Sequence, residues 1–301
     1  MAGTQEMNLQ DIFEKVNWPV EPQVQLRELY RMRAQQLRER YDWIRVEASG
    51  GGDSTTVIFS FLLNGIHLDE VIYRYPKQGD KDASGNPFDT SATNHLSEFE
   101  FAVKPILNWI HTNYPATKIT IHNYTDDLVE RYDDESWIYR TRNALQPGQW
   151  SKHTVAGSAE QKDLVNRNIR IAMVFGCDKP KLCVKDGKWF IYFQDPFANH
   201  NSADMGDITN VTTELFYWNP DSCDMLAKQA HMVRAWFELP MHYNFQSAVR
   251  WPNGDHYNRT TYESLVRAIV YPDYDFNTFQ TAKASNSIYA EMDTWFFTNF
   301  K

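Results

Sequence analysis

Six consecutive residues, Ser49-Gly50-Gly51-Gly52-Asp53-Ser54, continued by Thr55 and Thr56, have the composition of a phosphate-holding loop. Several phosphate charges can be held against competing water by backbone N–H groups at a helix N-terminus, where unbonded donors and the helix dipole both face the anion. Glycines let the main chain come close and adopt positive φ, and serine and threonine hydroxyls add donors. Gly51→Val is therefore expected to block a positive φ and to fill the phosphate's space. A carboxylate beside phosphates needs a cation between them. Asp53 is thus a candidate for arranging Mg²⁺, directly or through water, or for holding the loop by its own hydrogen bonds. Three glycines alone would indicate only a turn. The flanking pattern decides the matter.

Trp43 to Ala48 reads as a short β-branched strand that ends at the glycines, and Thr55 to Leu63 as an apolar helix stopped by Asn64-Gly65. Glu70 to Tyr75 reads as the next strand. The loop therefore opens the helix of a βαβ unit, expected to be parallel, where open α/β sheets place ligands. No Gly-Lys-Ser/Thr follows, and the G-x-G-x-x-G spacing is absent, so neither a Walker loop nor a dinucleotide fingerprint is present.

Upstream, Leu26, Leu29, Tyr30, Ala34 and Leu37 recur three or four apart within Pro22 to Arg40, the pattern of a surface helix burying one face. Downstream, a polar loop (Lys77 to Pro87) precedes a helix over Thr93 to Tyr114 and a strand over Lys118 to His122. Ile169 to Phe175 forms another β-branched run, ended by Gly176. Lys181 to Lys185 and Lys188 to Phe193 flank Asp186-Gly187, a strong hairpin signal. Asp221 to Leu239 and Tyr262 to Ile269 look helical. The expectation is an α/β fold: a mostly parallel, Rossmann-like sheet flanked by helices, with a mixed hairpin and helical C-terminal part. Its divisions fall at 1–40 (helical extension), 41–180 (nucleotide-binding α/β domain) and 181–301 (hairpin and helical region on the substrate side).

Ser49 to Ser54 resembles the SGGxDS signature of the PP-loop ATP pyrophosphatases, the adenine nucleotide alpha hydrolase-like superfamily. Its members include GMP and NAD synthetases, tRNA thiolases, tRNA lysidine synthetase, ATP sulfurylase small subunits and sulfonucleotide reductases. The resemblance implies that Ser49, Gly50, Gly51, Gly52, Asp53, Ser54 and Thr55 grip the phosphates of ATP with Mg²⁺. Substrate oxygen would attack the α-phosphorus, and pyrophosphate would leave. A nitrogen or sulfur nucleophile would then displace AMP. The segment Gly176-Cys177-Asp178-Lys179-Pro180-Lys181, the hairpin through Trp189, and Phe216-Tyr217-Trp218-Asn219-Pro220 are similar in layout to the sulfonucleotide reductase and sulfurylase branch. There Lys179 and Lys181 would steady the departing pyrophosphate; a solvated turn is the equal alternative. The reductases' cysteine-bearing tail is missing, since the chain ends Trp295-Phe296-Phe297-Thr298-Asn299-Phe300-Lys301, which argues against reductase activity.

Further candidates are weaker. Arg74 and Tyr75 end the second strand beside the expected adenine position, and Glu98 and Glu100 sit near a helix start, where carboxylates also serve the dipole. Lys228, His231 and Arg234 form one polar stripe, which could line an anionic pocket but more simply reads as a solvent face. Cys177, Cys183 and Cys223 suffice for a three-thiolate cluster, but their spacing matches no C-x-x-C pair and buried small hydrophobes fit as well. The histidines form no zinc pattern.

The net charge of −9 supplies no global basic field, which tilts the substrate toward a small molecule or nucleobase rather than nucleic acid. No secretory leader is apparent and no apolar run has membrane-spanning length; a cytoplasmic enzyme is the expectation, with homo-oligomerisation left open. A non-enzymatic ATP- or AMP-sensing module and a sulfur-transfer enzyme using the three cysteines are the rivals.

Overall fold

The computed structural model describes residues 9–75, 103–123, 163–164, 166–176, 181–185, 188–192 and 210–238. The loop Lys77 to Pro87, Glu98, Glu100, Cys177, Lys179, the Asp186-Gly187 turn and the helix expected at Tyr262 to Ile269 lie outside them. The described chain runs α1 (Leu9–Lys15), α2 (Leu26–Arg40), β1 (Trp43–Ala48), α3 (Gly52–Leu62), β2 (Glu70–Tyr75), α4 (Lys104–Asn113), β3 (Lys118–Asn123), β4 (Ile171–Phe175), β5 (Lys181–Lys185), β6 (Lys188–Tyr192), β7 (Val211–Leu215) and α5 (Cys223–Glu238). It is an α/β fold.

Five strands form one parallel sheet in the order β3-β2-β1-β4-β7, and β5 and β6 pair separately as an antiparallel hairpin. The sheet therefore reaches past residue 180. β7 lies beyond the boundary drawn from the alternation of strands and helices, because its short Val-Thr-Thr run carries too little apolar signal to stand out.

Side chains on successive strand residues face opposite sides of a sheet. Ile44, Val46, Val71, Tyr73, Ala172 and Val174 meet residues of α2, α3, α4 and α5 in one large core. Trp43, Ile171, Met173 and Val211 gather in a second cluster on the other side. On that side a charged pair is also buried. Arg45 Nε donates to Glu70 Oε2 at 3.0 Å and the Thr120 hydroxyl to Oε1 at 2.6 Å. Burial opposes the charge on Glu70, yet Arg45 and Thr120 hold its carboxyl below the usual range.

The apolar positions expected on α2 are all buried, and Arg33 is buried among them, which the periodicity did not indicate. Its guanidinium donates to Glu214 Oε2 (2.8 Å), to the carbonyls of Leu215 (3.2 Å) and Phe216 (3.3 Å), and to Gln36 (2.6 Å). Removing one partner of such a pair costs about 3–5 kcal/mol, because a buried charge is left uncompensated. The Tyr41 hydroxyl donates to the other oxygen of Glu214 at 2.6 Å. α3 ends in a Schellman turn at Gly65, with φ +68: Gly65 N–H bonds Leu62 O at 3.1 Å and Ile66 N–H bonds Phe61 O at 2.9 Å.

Burial and the neighbouring Glu214 charge push the Tyr41 phenol up to about 12 from its ordinary 10.0. A raised folded-state value stabilises the fold fully below pH 10, and that contribution is lost as pH rises through about 12. Urea-unfolding curves of the parent and Tyr41→Phe should therefore differ most at neutral pH and converge as pH climbs through this window. A stability difference that stays constant across it would show that the hydroxyl is not held by Glu214.

Candidate functional site

In an open parallel sheet whose order reverses beside the first strand, the crevice outside the carboxyl ends of the diverging strands is where ligands sit. Here those strands are β1 and β4, paired from Trp43↔Ile171 to Glu47↔Phe175. Ser49 and the three glycines leave the end of β1, and Gly176 leaves the end of β4. One strand further on, Phe216 and Tyr217 leave β7, with Phe216 N–H bonded to Phe175 O at 2.9 Å.

α3 begins at Gly52, earlier than the Thr55 expected, so Gly52 and Asp53 belong to its first turn. Its N-cap is Gly51, which has extended geometry (φ −75°, ψ 164°) and contributes no capping side chain. A helix offers no carbonyl of its own to its first-turn N–H groups, and a side chain at the N-cap normally supplies one. This N-terminus instead opens toward the crevice behind a glycine. The residue in the left-handed region is Gly50, at φ +71. That corrects the expectation for Gly51, where a Cβ would meet only the Ser49 hydroxyl at 3.3 Å.

The hydroxyls of Ser54, Thr55 and Thr56 are spent inward, while Ser49 is exposed. Thr55 Oγ1 donates to Gly51 O at 2.8 Å and Thr56 Oγ1 to Gly52 O at 2.6 Å. Ser54 Oγ accepts from Ser49 N–H at 3.0 Å and lies 3.1 Å from Ser49 Oγ. Ser54, Thr55 and Thr56 are all buried, so their side chains brace the loop from within.

One peptide unit, Asp53–Ser54, is contacted from two further strands. A Cβ on Gly176 would stand 2.8 Å from both Asp53 C and Ser54 N, so β4 reaches the helix start only because residue 176 is glycine. The Tyr217 hydroxyl donates to Asp53 O at 2.9 Å across 164 positions of sequence. The sequence marked Gly176 as the end of a strand and Tyr217 as part of an aromatic run; a contact that long-range has no local signature in either.

The other candidates lie on other elements. Arg74 lies near the end of β2, paired with His122 of β3, and Lys181 opens β5 in the hairpin. Lys228 and His231 face inward. Lys228 is 8 % exposed and ion-paired with Glu21 at 2.6 Å, and His231 Nε2 lies 2.8 Å from Trp18 O. The stripe read as a solvent face thus clasps residues 18 to 22, while Arg234 pairs with Glu238 in the open. Cys223 is a free thiol whose ionisation burial pushes up, which disfavours a nucleophilic thiolate.

Mg²⁺ commonly takes one or two carboxylates and fills its remaining positions with substrate phosphates and water. Asp53, half-buried at the helix start, fits that role, and no group of three or more metal-ligating side chains occurs among the described residues to form a dedicated cage.

The three glycines make different demands. Gly176→Ala should cost about 1–3 kcal/mol by overpacking against backbone, and Gly50→Ala about 1–2 kcal/mol through its left-handed φ. Gly51→Ala should be tolerated, since only the Ser49 hydroxyl must give way. Urea unfolding of the three variants checks the ranking, and a Gly51→Ala cost equal to the other two would refute it.

No protein-family model matches the chain, and no curated protein matches it.

Proposed function

We propose that this chain is an ATP pyrophosphatase of the AMP-forming kind, built on a Rossmann-like sheet. It binds ATP at Ser49–Ser54 and adenylates a carbonyl, amide or carboxylate oxygen on a nucleobase, nucleotide or small molecule. The supporting observation is an uncapped, glycine-led helix start at the sheet's switch point, with its hydroxyls already committed to holding the loop. Such a surface accepts a polyphosphate through amides and helix dipole, without the lysine of a Walker loop.

In the first step the acceptor oxygen bonds to the α-phosphorus while the bond from that phosphorus to the bridging oxygen breaks, and pyrophosphate departs. In the second, a nitrogen or sulfur nucleophile bonds to the activated carbon, and the carbon–oxygen bond to AMP breaks. The loop's contribution is to hold the β- and γ-phosphates in line, so that charge growing on the leaving group meets donors already in place. Asp53 would hold Mg²⁺, directly or through water, and the ion would supply further charge neutralisation.

Pyrophosphate release should appear with ATP, Mg²⁺ and a suitable member of a panel of carbonyl, amide and carboxylate acceptors. Steady formation of ADP and orthophosphate instead would rule the reading out. Tight ATP binding with no turnover across the panel would favour a nucleotide-sensing module. Asp53→Asn should keep the fold and lower turnover by about 10–100-fold, the usual cost of disturbing a metal's surroundings. An Asp53→Asn protein as active as its parent would remove the carboxylate from the mechanism.

A further inference from the structure

The glycine loop is held from outside by a residue far away in sequence. Tyr217 follows β7, is fully buried, and donates its hydroxyl to Asp53 O at 2.9 Å. Its ring is fixed by aromatic neighbours, edge-on to Tyr30 at 5.9 Å and to Phe216 at 5.3 Å between centroids. Tyr30 belongs to α2, so the hydroxyl is aimed by elements on both sides of the sequence rather than by its own loop. Behind the same peptide stands Gly176, close enough that a methyl group there would strike Asp53 C and Ser54 N at 2.8 Å.

A trans peptide is planar, and its C=O and N–H point in opposite directions. Fixing the direction of the Asp53 carbonyl therefore fixes that of the Ser54 N–H, which lies in the same plane and points the opposite way, in the first turn of α3. A hydrogen bond accepted by the carbonyl also polarises the amide and strengthens its N–H as a donor, by about 10–30%. The backbone of the first turn is where a β- or γ-phosphate would be met.

Resting on the function proposed above, we propose that Tyr217 is a positioning residue for the triphosphate: through the Asp53 carbonyl it orients and strengthens the Ser54 amide that receives the terminal phosphates. Its effect is confined to those phosphates and does not extend to the nucleoside or the α-phosphate.

The test compares Tyr217→Phe, which keeps the ring, with Tyr41→Phe, which removes a hydroxyl bonded to Glu214. Calorimetric titration with Mg·ATP and with AMP is read beside the amide ¹⁵N–¹H spectrum. In Tyr217→Phe, ATP affinity should fall about 3–10-fold, the range of one hydrogen bond. AMP affinity should be unchanged and the Ser54 amide proton should move upfield. Tyr41→Phe should leave the ratio of ATP to AMP affinity as in the parent, whatever it does to stability. Equal losses for ATP and AMP, or parent affinity for both, would overturn the role of Tyr217 alone. A parent chain that binds no ATP would overturn the proposed function and this role together.

Discussion

The Asp53–Ser54 peptide is the point on which the rest of the candidate site depends. The loop that leads to it is built from residues with little rigidity of their own, three glycines and two serines. Its shape comes from what presses on that peptide: the end of β4 through a residue without a side chain, and the end of β7 through a tyrosine hydroxyl. The small hydroxyl residues then close the remaining gaps from within, each bonding a carbonyl one turn back. The shape of a glycine-rich segment is thereby set by contacts from outside it as well as from within.

Support for β7 comes in turn from the N-terminal side of the chain. Arg33 of α2 binds Glu214 and takes the carbonyls of Leu215 and Phe216, the groups just before Tyr217. Two of those acceptors are main-chain atoms at a strand end, the kind of buried group that needs a partner. Clasping of residues 18–22 by Lys228 and His231 ties the same end of the chain to α5. The segment read as an extension is thus part of the framework that aims the tyrosine. α3 sits at the centre of this arrangement with every residue from Ser54 to Leu62 buried.

Much of this was legible in the sequence, and the exceptions share a cause. β1, β2 and the apolar stripe of α2 were readable because period and turn chemistry are local properties. Antiparallel pairing of β5 with β6 likewise follows from the runs flanking Asp-Gly. Gly50 and Gly51 are indistinguishable by composition; only the path of the chain decides which takes positive φ. The inward turn of Lys228 and His231 and the burial of Arg33 depend on partners some two hundred positions away, and a polar stripe carries no mark of them. β7 escaped notice because a five-residue strand at a sheet edge needs little apolar content.

The span of sequence between the loop and its outer supports has a consequence for synthesis. α3 emerges from the ribosome early, and its apolar faces can collapse against α2 and β2 soon afterwards. Gly176 and Tyr217 emerge more than a hundred residues later. Closing contacts of such high sequence separation is slow, and domains of this size form in stages as the chain grows. The nascent chain therefore carries its glycine loop for most of translation without the two contacts that shape it. The loop gains its outer supports only when β7 docks, so its final shape arrives as a late, single event rather than accumulating with length.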